Sequence, residues 1–219
     1  NALVVFDNAD IDAAVETCIH ARFQNTGQSC IAGKRLILQE NIAEEFTKKY
    51  VDKVKELKSG DPMHEDTFIG TMARVDLAED LEKQIRDSVD AGAKILIGGV
   101  RDGAYMQPTV LDNVTQEMAV FKEETFGPAI GITRFKTAEE AIDLVNSSDF
   151  GLGVSIFTED MDFAKYIIPE FEDGAVFVNE LVKSDPRLPF GGTKISGYGR
   201  ELSLDGIQEF VNKKTVYIK

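Results

Sequence analysis

A chain of 219 residues that is 43% hydrophobic has enough apolar material for one good core or, at most, two small ones. Its 38 acidic and 24 basic residues give a net charge of −14, which argues against nucleic acid or an anionic membrane surface as partner. No apolar run approaches the roughly 20 residues of a membrane span, and no CxxC or HExxH spacing offers a metal site.

The opening Asn1-Ala2-Leu3-Val4-Val5-Phe6 has neither the charged flank nor the small-residue cleavage site of a signal peptide, and residues 3–6 read as a strand cut from a longer sequence. From Ile11, the apolar positions Ile11, Ala14, Val15, Cys18 and Ile19 recur at helical spacing, with Asp10 placed to cap the free N–H groups. Lys34 to Gln39 reads as a strand. A helix follows with Asn41 and Glu44 as its capping box and Ala43, Phe46, Tyr50, Val54 and Leu57 on one face. Leu77, Leu81, Ile85 and Val89 mark another helix, ended by Gly92 before a strand at 94–97.

The second half repeats the alternation. A strand at 129–135 leads to a helix capped by Thr137 and Glu140, then a strand at 153–157 and a helix through Phe163 and Ile167. Ala175 to Val178 is short and apolar, as a strand buried on both faces would be. Val211 to Ile218 reads as an edge strand open to a partner chain. Strands separated by helices need crossover connections, so the fold class is α/β with a mostly parallel sheet flanked by helices.

The chemistry concentrates in Phe23-Gln24-Asn25-Thr26-Gly27-Gln28-Ser29-Cys30, where a helix gives way to a glycine turn. A cysteine just past such a turn can point its sulfur into a cleft. An ordinary thiol, with a pKa of about 8.5, is only a few per cent thiolate at neutral pH, yet that fraction attacks carbonyl carbons readily. Cys18 sits on the apolar stripe of the first helix and reads as packing. For Cys30, packing and nucleophile are evenly balanced on position alone. With two cysteines and two histidines in all, neither a disulfide framework nor a metal cluster suggests itself, and the balance favours a reducing, cytoplasmic compartment.

The octapeptide 23–30 resembles the active-site motif of the aldehyde dehydrogenases, Phe-x-Asn-x-Gly-Gln-x-Cys. Two further blocks follow in that family's order: Lys122-Glu123-Glu124-Thr125-Phe126-Gly127-Pro128, and the glycine-rich Pro189 to Glu201. With Gln107-Pro108-Thr109-Val110, the likeness spans the chain, and within the family it is similar to the bacterial succinate-semialdehyde dehydrogenases. The resemblance implies NAD or NADP as cofactor and Cys30 as the residue that forms a thiohemiacetal and then a thioester. It implies Glu124 on the nicotinamide ribose and Phe126 beside the nicotinamide. Some semialdehyde enzymes carry an arginine where Gln24 stands, so Gln24, Ser184 and Arg187 are the candidate contacts for a substrate carboxylate.

By the same resemblance, residues 1–205 form the thiol-bearing catalytic domain. Residues 206–219 form a helix end and an oligomerisation strand of a homo-oligomer, and the N-terminal dinucleotide-binding domain with the general-base glutamate lies outside this sequence. The chain alone is then expected to fold without turning over its aldehyde. The 189–201 block lacks both GxxxxGK[ST] and a GxGxxG that follows a strand, so it reads as tight turns that hold a channel wall, with Lys194 and Arg200 as structural hydrogen-bonding residues. Two other readings stay open: a cofactor-free thiol esterase, for which neither His20 nor His64 is an evident base, and a non-catalytic assembly module working through the terminal strand.

Overall fold

Strand β1, Ala2–Val5, is apolar and buried at every position, as expected of a strand covered on both faces. The computed structural model describes residues 1–219. After β1 come α1 (Ile11–Phe23), β2 (Arg35–Gln39), α2 (Ala43–Glu56), α3 (Val75–Asp90) and β3 (Lys94–Ile97). A small hairpin pairs β4 (Arg101–Asp102) with β5 (Tyr105–Met106), and β6 (Thr109–Asp112), α4 (Ala119–Lys122), β7 (Ala129–Phe135) and α5 (Ala138–Asn146) follow. The chain then forms β8 (Phe150–Gly151), β9 (Val154–Phe157), α6 (Met161–Ile167), β10 (Val176–Val178), β11 (Thr193–Lys194) and α7 (Ser203–Gln208).

Seven strands make one sheet in the order β10-β9-β1-β2-β7-β6-β3. All neighbours are parallel except β3, which runs antiparallel to β6 at one edge. Alternation along each strand sends side chains to two cores. Leu3, Val5, Leu36, Leu38, Ile130 and Ile132 meet α1 and α2 on one face. Ala2, Val4, Ile37, Leu111, Ala129 and Ile156 meet α3, α4, α5 and α6 on the other. Each fully buried Leu or Ile here contributes about 1.5–3 kcal/mol of transfer free energy.

Local signals mostly hold. Asp10 caps α1 by accepting from the Ala13 N–H at 3.1 Å. Thr137 accepts from the Glu140 N–H at 3.3 Å, and the Glu140 carboxylate takes the Lys136 N–H at 2.7 Å. Two expectations do not. The capping box at Asn41 is absent: the cap position of α2 falls on Ile42, no side chain caps it, and the Asn41 amide donates to Asp7 at 2.8 Å. The strand near Ala175 is half-buried and not sealed on both faces, since β10 is an outer strand paired only with β9. Val211 to Ile218 forms no strand within this chain: beyond α7 the residues are exposed and have no strand to pair with. No helix is long and apolar enough to cross a membrane.

Candidate active site

Helix α1 stops at Phe23, and the chain turns through Asn25 (φ 52°), Thr26 (φ 56°) and Gly27 (φ 69°), three left-handed residues in succession. Such a run is costly for residues with a Cβ, and hydrogen bonds hold it. The Asn25 amide donates to the Gln28 carbonyl at 3.0 Å, the Thr26 hydroxyl accepts from the Gly70 N–H at 3.1 Å, and Gln28 Oε1 accepts from the Ala73 N–H at 2.8 Å. Gly27 has no alternative: a Cβ there would lie 2.3 Å from the Gly127 carbonyl oxygen.

Arg22 fastens this turn from beneath. It is 0% exposed, and its guanidinium donates to the carbonyls of Gly33 (3.1 Å), Thr125 (3.2 Å) and Gly127. One side chain thereby joins the end of α1, the segment after Cys30 and the 124–127 block. Its burial pulls the guanidinium pKa down to about 10, an effect partly offset by Tyr50 and Glu124.

The turn leaves Cys30 exposed, at a cleft of about 260 Å³ that also contains Lys34, Glu124, Phe126, Ile195 and Ser196. Cys18 is sealed in the core at 0% exposure, and burial pushes its thiol well up. The structure therefore separates the two cysteines as the sequence suggests. It also brings Cys30, Glu124 and Phe126 together. The ring of Phe126 is 38% exposed, and Glu124 reaches the cleft rim with its side chain 34% exposed.

The cleft lies where β1, β2, β7 and β9 begin, formed by the segments that enter those strands. Open α/β sheets usually bind ligands at the opposite, carboxyl ends of their strands. Here the motif turn arrives at the amino end of β2, so the site follows it there.

The glycine-rich block supplies one wall. Ser196 Oγ accepts from the Gly151 N–H at 3.0 Å, and Lys194 donates to the carbonyls of Asn146 (2.7 Å) and Ser148 (2.9 Å). Arg200 donates to the carbonyls of Gly192 (3.0 Å) and Gly199 (2.7 Å). These are backbone-fastening roles, as the sequence suggests.

Gln24, Ser184 and Arg187 do not line the Cys30 cleft. Gln24 ends α1 with its amide nitrogen buried and unpartnered. Arg187 is exposed and forms a two-pronged pair with Asp185 at 2.9 and 2.5 Å. Lys34, which sequence reasoning passed over as the start of a strand, is in the cleft. Its side chain is 5% exposed and its ammonium lies 3.7 Å from Glu124. Burial, and then Arg22, lower its pKa to about 7, against the opposing pull of Glu124 and Cys30. Two adjacent basic residues opening an otherwise apolar strand were the available signal. Among His, Cys, Asp and Glu, no group of three could hold a metal ion.

The pattern described as the aldehyde dehydrogenase family matches residues 1–216. This chain belongs to the aldehyde dehydrogenase family. A succinate semialdehyde dehydrogenase, NAD(P)+, of Escherichia coli K12 is 46% identical over 217 residues, covering 98% of this chain and 47% of that protein. A probable succinate-semialdehyde dehydrogenase, NADP(+), of Synechocystis is 45% identical over 219 residues, covering 98% of this chain and 48% of the relative. Among solved structures, the chain is similar to a glyceraldehyde-3-phosphate dehydrogenase of Methanocaldococcus jannaschii complexed with NADP. The TM-score is 0.93 at 37% identity, over 97% of this chain and 46% of that one. This aldehyde dehydrogenase chain spans about half the length of the curated relatives it matches.

Proposed function

We propose that this chain carries the thiol-bearing site of an NAD(P)-dependent aldehyde dehydrogenase, with succinate semialdehyde as the candidate substrate. The observation that carries the reading is the exposed sulfur of Cys30 in one cleft with Glu124 and Phe126. The relatives named for succinate semialdehyde and for NAD(P) support the substrate and cofactor assignments.

In this reading the Cys30 sulfur forms a bond to the aldehyde carbon, and the carbonyl oxygen gains negative charge. The Cys30 N–H is the donor that this turn contributes to that oxygen. Glu124 and Phe126 fit the nicotinamide end of a dinucleotide, one offering a carboxylate for ribose hydroxyls and the other an apolar ring face. A dinucleotide held by Glu124 and Phe126 would supply the hydride acceptor for the carbon bound to Cys30. The thioester left on Cys30 must then be hydrolysed. Among the carboxylates of the cleft, Glu124 is paired with Lys34, and Glu123 accepts from Gln84 at 3.0 Å. We assign water activation, and most of the dinucleotide cradle, to sequence outside these residues. The 219-residue chain alone is therefore expected to capture aldehyde without sustained turnover. Residues 206–219 are assigned to self-association, since Phe210, Tyr217 and Ile218 are 92%, 83% and 87% exposed.

Alkylation of Cys30 by iodoacetamide tests this reading in the chain itself. Succinate semialdehyde should protect the thiol by reversible addition, and at lower concentration than a neutral aldehyde of equal length. Absence of protection by any aldehyde refutes the dehydrogenase reading; equal protection by both refutes the substrate. Steady NAD(P)H production by the chain refutes the assignment of water activation elsewhere. The esterase alternative lacks support, because neither histidine lines the cleft and His20 instead stands edge-on to Phe68 at 5.7 Å.

A further inference from the structure

Lys34 occupies a position that ordinarily excludes lysine. Its ammonium is withdrawn from water, donates to the Ser29 carbonyl at 2.7 Å, stands 3.7 Å from the Glu124 carboxylate and lies over the Phe126 ring, 4.4 Å from its centroid. Ser29 directly precedes the nucleophile, and the other two contacts are the residues assigned to the cofactor. Burying a cation costs several kcal/mol unless its partners compensate. A neutral donor would tie Ser29 to Glu124 at lower cost, so the charge itself calls for an explanation.

We propose that Lys34 is the positioning residue of the reactive sulfur: its ammonium, bound to the Ser29 carbonyl and paired with Glu124, holds the Ser29–Cys30 turn and the Glu124 carboxylate in one frame. This deepens the dehydrogenase reading and rests on its assignment of Cys30.

The groups facing Lys34 come from every side of the cleft. Arg22 approaches from α1, Glu124 from the segment before β7, and Cys30 from its own turn. Arg35 is engaged elsewhere, donating to the Leu144 carbonyl at 2.9 Å and lying 5.0 Å from the Phe121 ring. Burial and Arg22 draw the proton off Lys34, whereas Glu124 and Cys30 keep it on, and the balance falls at about 7.

The test is the rate of Cys30 alkylation by iodoacetamide from neutral to alkaline pH, read by intact mass, in the wild-type chain, Lys34→Gln and Lys34→Arg. Cys30→Ala supplies the background. Lys34→Gln is expected to react about tenfold more slowly at neutral pH, as a loosened turn would, and to converge with wild type when alkaline, where Lys34 has itself lost the charge that pairs with Glu124. Lys34→Arg, charged throughout, should keep the neutral-pH rate and lose the second inflection that Lys34 gives the wild-type profile. A folded Lys34→Gln chain with the wild-type profile overturns the proposal. If Lys34→Gln does not fold, Lys34→Arg decides: a profile that retains both wild-type inflections assigns them to another group and overturns it. Neither cofactor nor aldehyde enters the measurement. A Cys30 that alkylates but ignores Lys34 therefore removes only this proposal, whereas a Cys30 inert in every variant removes the dehydrogenase reading as well.

Discussion

Gly27 and Gly127 meet backbone to backbone, the Gly127 N–H donating to the Gly27 carbonyl at 3.2 Å. Both have positive φ, and neither has room for a methyl group: the Cβ of an alanine would lie 2.3 Å from backbone oxygen at Gly27 and 2.5 Å from Leu81 at Gly127. This contact sets the distance between the cysteine turn and the block that holds Glu124 and Phe126. Gly27→Ala should therefore cost about 1–3 kcal/mol, the range for overpacking a filled site. Urea unfolding measures the loss, and a change below a few tenths of a kcal/mol would show that the turn yields easily.

Arg22 makes a second prediction. Arg22→Leu leaves the carbonyls of Gly33, Thr125 and Gly127 without this donor in a buried setting. The Gly127 carbonyl keeps the Ala129 N–H at 2.9 Å, whereas the other two are stranded at about 1–3 kcal/mol each, so a loss of about 2 kcal/mol or more is expected from urea unfolding. Cys30 should also label at an altered rate, because the segments on both sides of it lose a common anchor.

The cysteines should count differently in folded and unfolded protein. Only Cys30 is exposed, so a thiol reagent such as Ellman's should titrate one group in the native chain and both after denaturation. Cys30→Ser should change stability by less than about 0.5 kcal/mol, as surface substitutions usually do, while abolishing aldehyde capture. Rapid native labelling of Cys18 would contradict the sealed core on the α1 face.

Lys34 links stability to pH with a definite sign. Its pKa is lowered from 10.5 in the unfolded chain to about 7 in the folded one. Between those values the unfolded chain holds the proton more fully, so stability rises with pH across that window. The urea midpoint of the wild-type chain should climb from neutral to alkaline pH relative to that of Lys34→Met, which lacks this contribution. Parallel curves for the two proteins would show that Lys34 titrates normally.

Sequence reading succeeded where local chemistry determines structure. The segment 129–135 reads as a strand and forms β7, and Cys18, on the apolar stripe of α1, reads as packing and is buried. It failed where a distant partner decides. Asn41 does not cap α2, whose cap position falls on Ile42, and its amide reaches Asp7, 34 residues back in the chain. Only Gln107-Pro108-Thr109-Val110 registers, through the resemblance, yet Thr109–Asp112 is a sheet strand between β7 and the edge strand β3. Gln24 comes from the resemblance, which places an arginine there, and Ser184 and Arg187 from their place just upstream of the glycine-rich block; none of the three lines the Cys30 cleft. Lys34 looked like the first residue of a strand, since nothing nearby in sequence reveals that Glu124 will arrive beside it. A chain of net charge −14 thus concentrates Arg22, Lys34 and Arg35, all nearly inaccessible, around its one exposed thiol.

The place of β1 in the sheet has a consequence for how the protein is made. Ala2–Val5 pairs on one side with β2 but on the other with Val154–Phe157. During synthesis this greasy strand must wait, half-matched, until most of the polypeptide has left the ribosome. Such long-range pairing slows folding and prolongs the interval in which sticky surface is open to other chains. Expression yield should therefore depend on growth temperature and chaperone supply more than the finished, well-packed product would suggest.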